Sequence, residues 1–316
     1  MGTGIDPTND YAFKFVFGVD ERNRSLAGLL NAVITDSGGV PLQTVRVVSP
    51  LTIKETADDR LGILDIRALD NLDRESLIEM QMLAYRGLIE RLLWYTAKSY
   101  DQQLEVGQEY AALRPVIMVC FLNDTVFKDD SGQYHWCFKL IDQDSGRPLT
   151  DQFVIHIVEL PKFNKTVDEL VSDLDCWTYF LKHGAGLEIQ ELSPRLQQAG
   201  ITQAVEGLVM LSLDAQKRWE YTRQRMWEMD QKEILTTGFD NGRTEGRTEG
   251  RTEGLAEGEL KGVLTVLVRI GARRFGVPSP DVLSQLNGIS RVSELEALSD
   301  RITEVSSWDE LLAPRT

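Results

Sequence analysis

The chain has 316 residues, 42% of them hydrophobic and 26% charged, and a net charge of −15. This is enough apolar material for one sizeable core and a smaller one, whereas the acidity counts against simple non-specific nucleic-acid binding, which relies on Lys and Arg neutralising phosphates. The longest apolar run, residues 116–122, is far short of the ~20 residues a bilayer span needs, and the opening MGTGIDPTND has neither the basic region nor the apolar run of a secretory signal. Met-Gly opens a myristoylation pattern, but Asp6 stands where Ser or Thr is required. Cys120, Cys137 and Cys176 are scattered, and His135, His156 and His183 form no metal-binding spacing with them. Neither a disulfide framework nor a zinc site is expected, and a reducing cytoplasm is the expected setting.

Residues 10–18, DYAFKFVFG, read as a helix that Asn9 or Thr8 can cap. Phe13 and Phe17 share a face, and Lys14 lies four residues after Asp10, within reach of an ion pair across one turn. An ordinary amphipathic helix with a surface ion pair would look the same. Residues 25–32 read as a second helical segment, 36–39 as a loop, 42–48 as a first strand and 49–60 as loops or bulges.

Residues 62–83, GILDIRALDNLDRESLIEMQML, hold two apolar runs, 62–69 and 77–83, around a polar stretch at 70–75. The Asp-Asn-Leu-Asp turn favours a β-hairpin over the competing helix. Alternation then puts Leu64, Ile66 and Ala68 on one face, with Ile78, Met80 and Met82 on the corresponding face of the partner strand. Asp65 takes the other face, and Glu79 and Gln81 share a face with each other. A turn centred on Leu72 sets Asp65 opposite Glu79, with Cβ atoms about 4.5–5.5 Å apart. Two carboxylates that close repel, and a divalent cation would convert the repulsion into a binding site. Magnesium suits one or two carboxylates, retained waters and a substrate phosphate. Gln81, beside Glu79, could orient the attacking water. A hairpin with one solvated acidic face is the plain alternative.

Residues 85–103 read as a long helix, with Arg86, Arg91 and Lys98 giving it a positive side and Leu88, Leu92 and Tyr95 at helical spacing. Arg91 could hold a phosphate bidentately. Residues 115–122, PVIMVCFL, read as a strand buried on both faces. A turn at 128–132 precedes a strand at 134–140, and FVIHIVE at 153–159 is another strand, within which His156 reads as a satisfied structural histidine. Residues 160–163 close the sheet, and this mixed order of elements makes an α/β sandwich. Residues 168–183 and 201–234 read as helices, the second carrying Trp219 and Arg223 as interface residues or as packing against the core.

Between 242 and 262 glycine recurs every fourth residue through GRTEGRTEGRTEGLAEGELKG. Each Gly costs a helix about 1 kcal/mol against Ala, and the Arg and Glu columns repel at i,i+4. The segment reads as a flexible linker, or as a helix that forms when a partner chain packs on it. Residues 263–316 form a small helical module of association type, in which Ser307-Trp-Asp-Glu310 fits a capping box.

Asp65 followed by Glu79-Met80-Gln81 resembles the core of the PD-(D/E)XK nuclease superfamily, an Asp on one strand and Glu-x-Lys on the next, with Gln in place of Lys. That variant, the Asp-x-x-Phe-Lys helix, Arg91 followed by Tyr95, and Glu-Leu-Pro-Lys-Phe at 159–163 resemble the Rpn family of recombination-promoting nucleases and transposases. The resemblance implies a restriction-endonuclease-like mixed sheet flanked by helices over residues 1–235, the repeat linker at 236–262 and the helical module at 263–316. It implies a magnesium- or manganese-dependent DNA endonuclease linked to recombination or mobile elements. Asp65 and Glu79 would hold the metal, Gln81 would position the water, Asp10 would assist from the first helix, and Lys14, Arg91 and Tyr95 would meet DNA. The main chain near Met80 adds a possible carbonyl ligand. A homo-oligomer formed through the C-terminal segment, and no membrane contact, complete the expectation. The alternative is a catalytically silent fold that binds a partner protein, which the net acidity and the glycine array favour.

Overall fold

The structure is a computed structural model that describes residues 2–19, 23–48, 52–53, 62–128 and 132–313. The chain divides into two compact units, residues 1–230 and 231–316.

The first unit is built on a six-stranded sheet in the order β1-β4-β5-β6-β8-β7. Its strands are β1 (Val45–Val48), β4 (Ile66–Asp70), β5 (Glu75–Gln81), β6 (Val116–Leu122), β7 (His135–Ile141) and β8 (Pro148–Glu159). A separate pair joins β2 (Thr52–Ile53), within the stretch read as loops, to β3 (Gly62–Ile63), at the start of the first apolar run; the rest of 49–60, and 129–131 of the expected 128–132 turn, fall outside the described residues. β6 explains the layering. It runs parallel to both β5 and β8, all seven of its residues are buried, and its side chains alternate between two cores. Ile117, Val119 and Phe121 pack with α1 (Asp10–Phe17), α2 (Asn23–Asp36), α4 (Asp173–His183) and α6 (Ile201–Leu213). Met118, Cys120 and Leu122 pack with Leu88, Leu92 and Tyr95 of α3 (Leu88–Asp101). A strand covered by helices on both sides has no polar face, hence its unbroken apolar run. The result is the restriction-endonuclease-like α/β arrangement, a mixed sheet flanked by helices.

The β4–β5 hairpin has the expected register. Ile66 pairs with Ile78 and Leu69 with Glu75, so one further step sets Asp65 opposite Glu79. Its faces follow the expectation at four of the six positions, Met82 lying past the end of β5. Ile66, Ala68, Ile78 and Met80 lie in the α1/α2 core, but Leu64 lies with Leu77 and Leu88 in the α3 core. A bend at Asp65 ends the strand there, breaking the alternation that would have kept Leu64 beside Ile66.

The single helix read over 201–234 is two helices. Asp214 adopts an extended backbone after α6, and its Oδ1 accepts from Gln216 and Lys217 N–H at 3.0 and 3.1 Å, opening α7 (Ala215–Phe275). Asp at a helix start satisfies N–H groups that have no intrahelical partner. Trp219 and Arg223 do not pack against the core: Trp219 is exposed, and Arg223 lies over its ring, 5.0 Å from the centroid, while pairing with Glu220.

α7 also carries the glycine repeat, so this stretch is helical. Its backbone bonds do not depend on side chains, and Thr248 and Thr252 hydroxyls donate to carbonyls one turn back. The second unit closes with α8 (Pro280–Asn287), α9 (Val292–Arg301) and α10 (Trp308–Leu312) around Leu267, Leu286, Leu295, Trp308 and Leu311. Gly271 is required there: a Cβ on it would stand 2.1 Å from the Trp308 ring. Ser307 caps α10 by accepting from Glu310 N–H at 3.2 Å, while the Glu310 carboxylate accepts from Ser306 N–H.

Candidate metal-ion and active site

Asp65 and Glu79 form the centre of the site, and each reaches it for a local reason. Glu79 alternates with Ile78 and Met80, so when those two enter the α1/α2 core it faces the α3 side. Asp65 sits at the bend before β4, where Met80 N–H has no strand partner. The Asp65 Oδ2 takes that donor at 2.8 Å. The Asp65 N–H in turn points at Glu79 Oε2, 3.4 Å away.

Two cations border the pair. Lys14 Nζ bridges Asp10 Oδ1 at 2.5 Å and Asp65 Oδ1 at 2.9 Å. The i,i+4 pair expected on α1 therefore exists and extends to the hairpin. Arg91, on the first turn of α3, donates from Nη2 to Glu79 Oε1 at 2.6 Å and to Gln81 Oε1 at 2.7 Å. The guanidinium lies over the rings of Tyr85 and Tyr95, 5.2 and 5.6 Å from their centroids. The acids are buried, with side chains 9% and 6% exposed at Asp65 and Glu79, whereas Lys14 and Arg91 are about a third exposed at 36% and 32%. The positive groups thus lie between the acids and solvent.

These five charged groups comprise three carboxylates and two cations. The imbalance appears in the proton affinities. Burial, then the charge of Asp65, pushes Glu79 above the usual carboxylate range although Arg91 opposes it. Burial also raises Asp65; Lys14 lowers it and Asp10 raises it further. Burial depresses Lys14, but Asp65 and Asp10 more than compensate, so its ammonium is held above its ordinary value. Two acids whose ionised forms are incompletely compensated form a donor set suited to a hard divalent cation. Among the described residues no group of three or more His, Cys, Asp or Glu converges as a ready-made cage. One or two carboxylates with room for water and phosphate is the arrangement magnesium prefers, so the residues present fit that ion.

All seven expected site residues lie in one region, in unequal roles. Asp10, Lys14, Asp65 and Glu79 form a continuous chain of contacts. Gln81 is tied to Arg91. Tyr95 is buried beneath Arg91 as part of its aromatic support, and burial, followed by the Glu79 charge, pushes its hydroxyl up to about 12. Three participants were not read from the sequence. Tyr85 flanks Arg91 and had no motif of its own. Its hydroxyl and Arg91 Nε are buried and, among the described residues, make no hydrogen bond. Glu228, on α7, accepts from Asp10 N–H at 3.0 Å and Asn9 Nδ2 at 2.8 Å. No short-range pattern could have linked it to residue 10. The third is the Met80 N–H, which donates to Asp65 where the family resemblance implies a main-chain carbonyl ligand.

A cleft of about 790 Å³ lies elsewhere, along Tyr134, His135, Lys162, Lys165 and Asp175. Asp175, one of three acids that line it, is saturated: it accepts from Tyr134, Lys165, Ser172 and Val171.

No curated protein and no solved structure matches the chain. The family description "PD-(D/E)XK nuclease family transposase" matches residues 7–238. This span takes in every residue of the site, from Asp10 to Glu228, and the sheet that positions them. With the paired acids at the head of a β-hairpin and this match across most of its length, the chain belongs to the PD-(D/E)XK nuclease family transposases.

Proposed function

We propose that the protein is a divalent-metal-dependent DNA endonuclease acting in recombination or in the movement of mobile elements. The observation that carries this reading is the opposition of Asp65 and Glu79, buried and incompletely neutralised at the head of the hairpin. Asp65 and Glu79 would hold Mg²⁺ or Mn²⁺, with Asp10 assisting through its place beside Lys14. A bound divalent cation supplies polarisation of the phosphoryl oxygen and a more acidic bound water.

The chain's own residues supply orientation and charge. Gln81 orients the attacking water by hydrogen bonding; unlike the Lys common at this position in the superfamily, its neutral amide adds no positive charge. Arg91 is about a third exposed, so the outer edge of its guanidinium can meet a phosphate oxygen. Tyr85 and Tyr95 place their rings beside its guanidinium. Lys14, about a third exposed, is a second phosphate contact. Hydrolysis adds the water oxygen to phosphorus and breaks one P–O bond. DNA is the partner, with self-association through the C-terminal unit and a cytoplasmic location as parts of the same proposal. Among the described residues no helix is long and apolar enough to cross a membrane.

One observation favours the second reading, a silent nuclease fold that binds a partner protein: Arg91 engages both Glu79 and Gln81, the groups that would serve the metal and the water. Nicking of supercoiled plasmid with Mg²⁺ or Mn²⁺, beside Asp65→Ala and Glu79→Ala prepared identically, separates the two. Metal-dependent nicking lost in both variants supports the nuclease. Nicking that persists in both points to another site or a contaminant, and folded protein without activity favours the partner-binding reading.

A further inference from the structure

The helix that carries the site's first acid is held by a residue 218 positions downstream. α1 is only eight residues long, and a helix that short is marginal without tertiary support. Its cap is Asn9, whose Oδ1 accepts from Ala12 N–H at 3.2 Å. An amide cap works only while its oxygen, and not its nitrogen, faces the helix. Glu228 enforces that orientation: Oε2 accepts from Asn9 Nδ2 at 2.8 Å, and Oε1 accepts from Asp10 N–H at 3.0 Å. Seven residues earlier, on the same face of α7, buried Tyr221 accepts from Asp6 N–H through its hydroxyl oxygen at 3.0 Å. α7 therefore grips residues 6–10 at two points two turns apart. From Glu228 the contacts continue without a break through Asp10, Lys14, Asp65 and the Met80 N–H.

We propose that Glu228 is a positioning residue of the site: by fixing the Asn9 cap and the Asp10 backbone it sets where the Asp10 carboxylate and Lys14 meet Asp65. The inference rests on the reading of Asp65 and Glu79, with Asp10 beside them, as a divalent-cation site. Glu228 touches none of the reacting groups itself. Tyr221 holds the same segment one step further away, through its bond to Asp6 N–H, whereas Asn9 and the Asp10 N–H are met by Glu228.

The test is calorimetric titration of Mn²⁺ into the full-length protein, beside Glu228→Ala, Glu228→Gln and Tyr221→Phe, with plasmid nicking measured on the same samples. Glu228→Ala is expected to weaken Mn²⁺ binding about 10–100-fold, the range for residues that orient metal ligands. Glu228→Gln keeps the length of the side chain and an oxygen for the Asp10 N–H, so it recovers part of that loss and serves if the alanine variant does not fold. Tyr221→Phe is expected to lower the unfolding temperature while leaving Mn²⁺ affinity within about twofold of the parent. Unchanged affinity in both Glu228 variants, with a parent that binds, overturns the role of Glu228 alone. An equal loss in Tyr221→Phe overturns it in favour of general docking of α7. A folded parent that binds no Mn²⁺ instead removes the cation-site reading and this inference with it.

Discussion

Two buried acidic centres in the first unit are treated in opposite ways. Asp175 is buried on α4, where burial alone would raise its pKa, yet Lys165, the Tyr134 hydroxyl and the Ser172 and Val171 N–H groups hold it below the usual carboxylate range. Glu79 is comparably buried on β5 and is pushed the other way, by burial and by Asp65, with Arg91 unable to offset them. Both are carboxylates in low-dielectric surroundings. They differ in what surrounds them: four donors converge on Asp175, whereas Glu79 faces a second acid. An acid that serves the fold is surrounded by donors until its ionised form is the stable one, and an acid kept for chemistry retains charge for a ligand to neutralise.

The contrast is tested most strongly by activity. Asp65→Ala and Glu79→Ala are each expected to lower metal-dependent nicking by about 10³-fold or more, ~4 kcal/mol of transition-state stabilisation, while Asp175→Asn leaves the rate per folded molecule near the parent's. Stability should rank the sites in reverse. Asp175→Asn removes the charge that Lys165 and two N–H groups meet, and because Lys165 is 41% exposed and returns to water, the loss is about 1.5–3 kcal/mol in urea unfolding. Glu79→Gln, which removes an incompletely neutralised charge and keeps an acceptor for Arg91, should fall within about 1 kcal/mol of the parent. If Glu79→Gln proves as costly as Asp175→Asn, Glu79 is a structural acid and the comparison fails. Tyr134→Phe removes one of the four donors and should cost about 1.5–3 kcal/mol, as for a hydrogen bond to a charged group.

The pH dependence of stability sharpens the same difference, with opposite signs at the two centres. Glu79 has a folded pKa above its ordinary 4.5, so its ionisation opposes folding above the folded value, and the penalty is relieved as pH falls through that value toward 4.5. The stability of the parent relative to Glu79→Gln should therefore improve on acidification from neutral pH, with a slope no steeper than about 1.4 kcal/mol per pH unit. Asp175 has a folded pKa below its ordinary 3.8. Its contribution is present above 3.8 and is lost as pH falls from there through the folded value. A parent-minus-Glu79→Gln difference that is flat between neutral pH and 4.5 would show that Glu79 is compensated after all.

Much of the site was legible in short stretches of sequence because the geometry there is local. A hairpin with a five-residue turn leaves little freedom in register, so counting outward from Leu72 is enough to set Asp65 against Glu79. The Asp10–Lys14 pair follows from helical pitch, and the doubly buried β6 from its unbroken apolar run. Leu64 was misplaced for an equally physical reason. Alternation holds only while the strand continues, and the bend at Asp65 owes its place to a side-chain hydrogen bond with Met80, which periodicity does not encode. The break at Asp214 was missed likewise: apolar spacing continues across it, and the helix boundary depends on one capping carboxylate.

By itself, then, the sequence determined the strands of the sheet, the helices α1 and α3 and the hairpin register, since each follows from the periodicity and turn chemistry of a few consecutive residues. Only the tertiary structure decided that Lys14 joins Asp10 to Asp65, that Arg91 faces Glu79 and Gln81, and that Glu228 closes on Asp10 from α7. Those contacts span 10 to 218 positions of chain. They exist because the sheet and its two cores bring distant segments to one place, where the burial of charge makes each partner's position count.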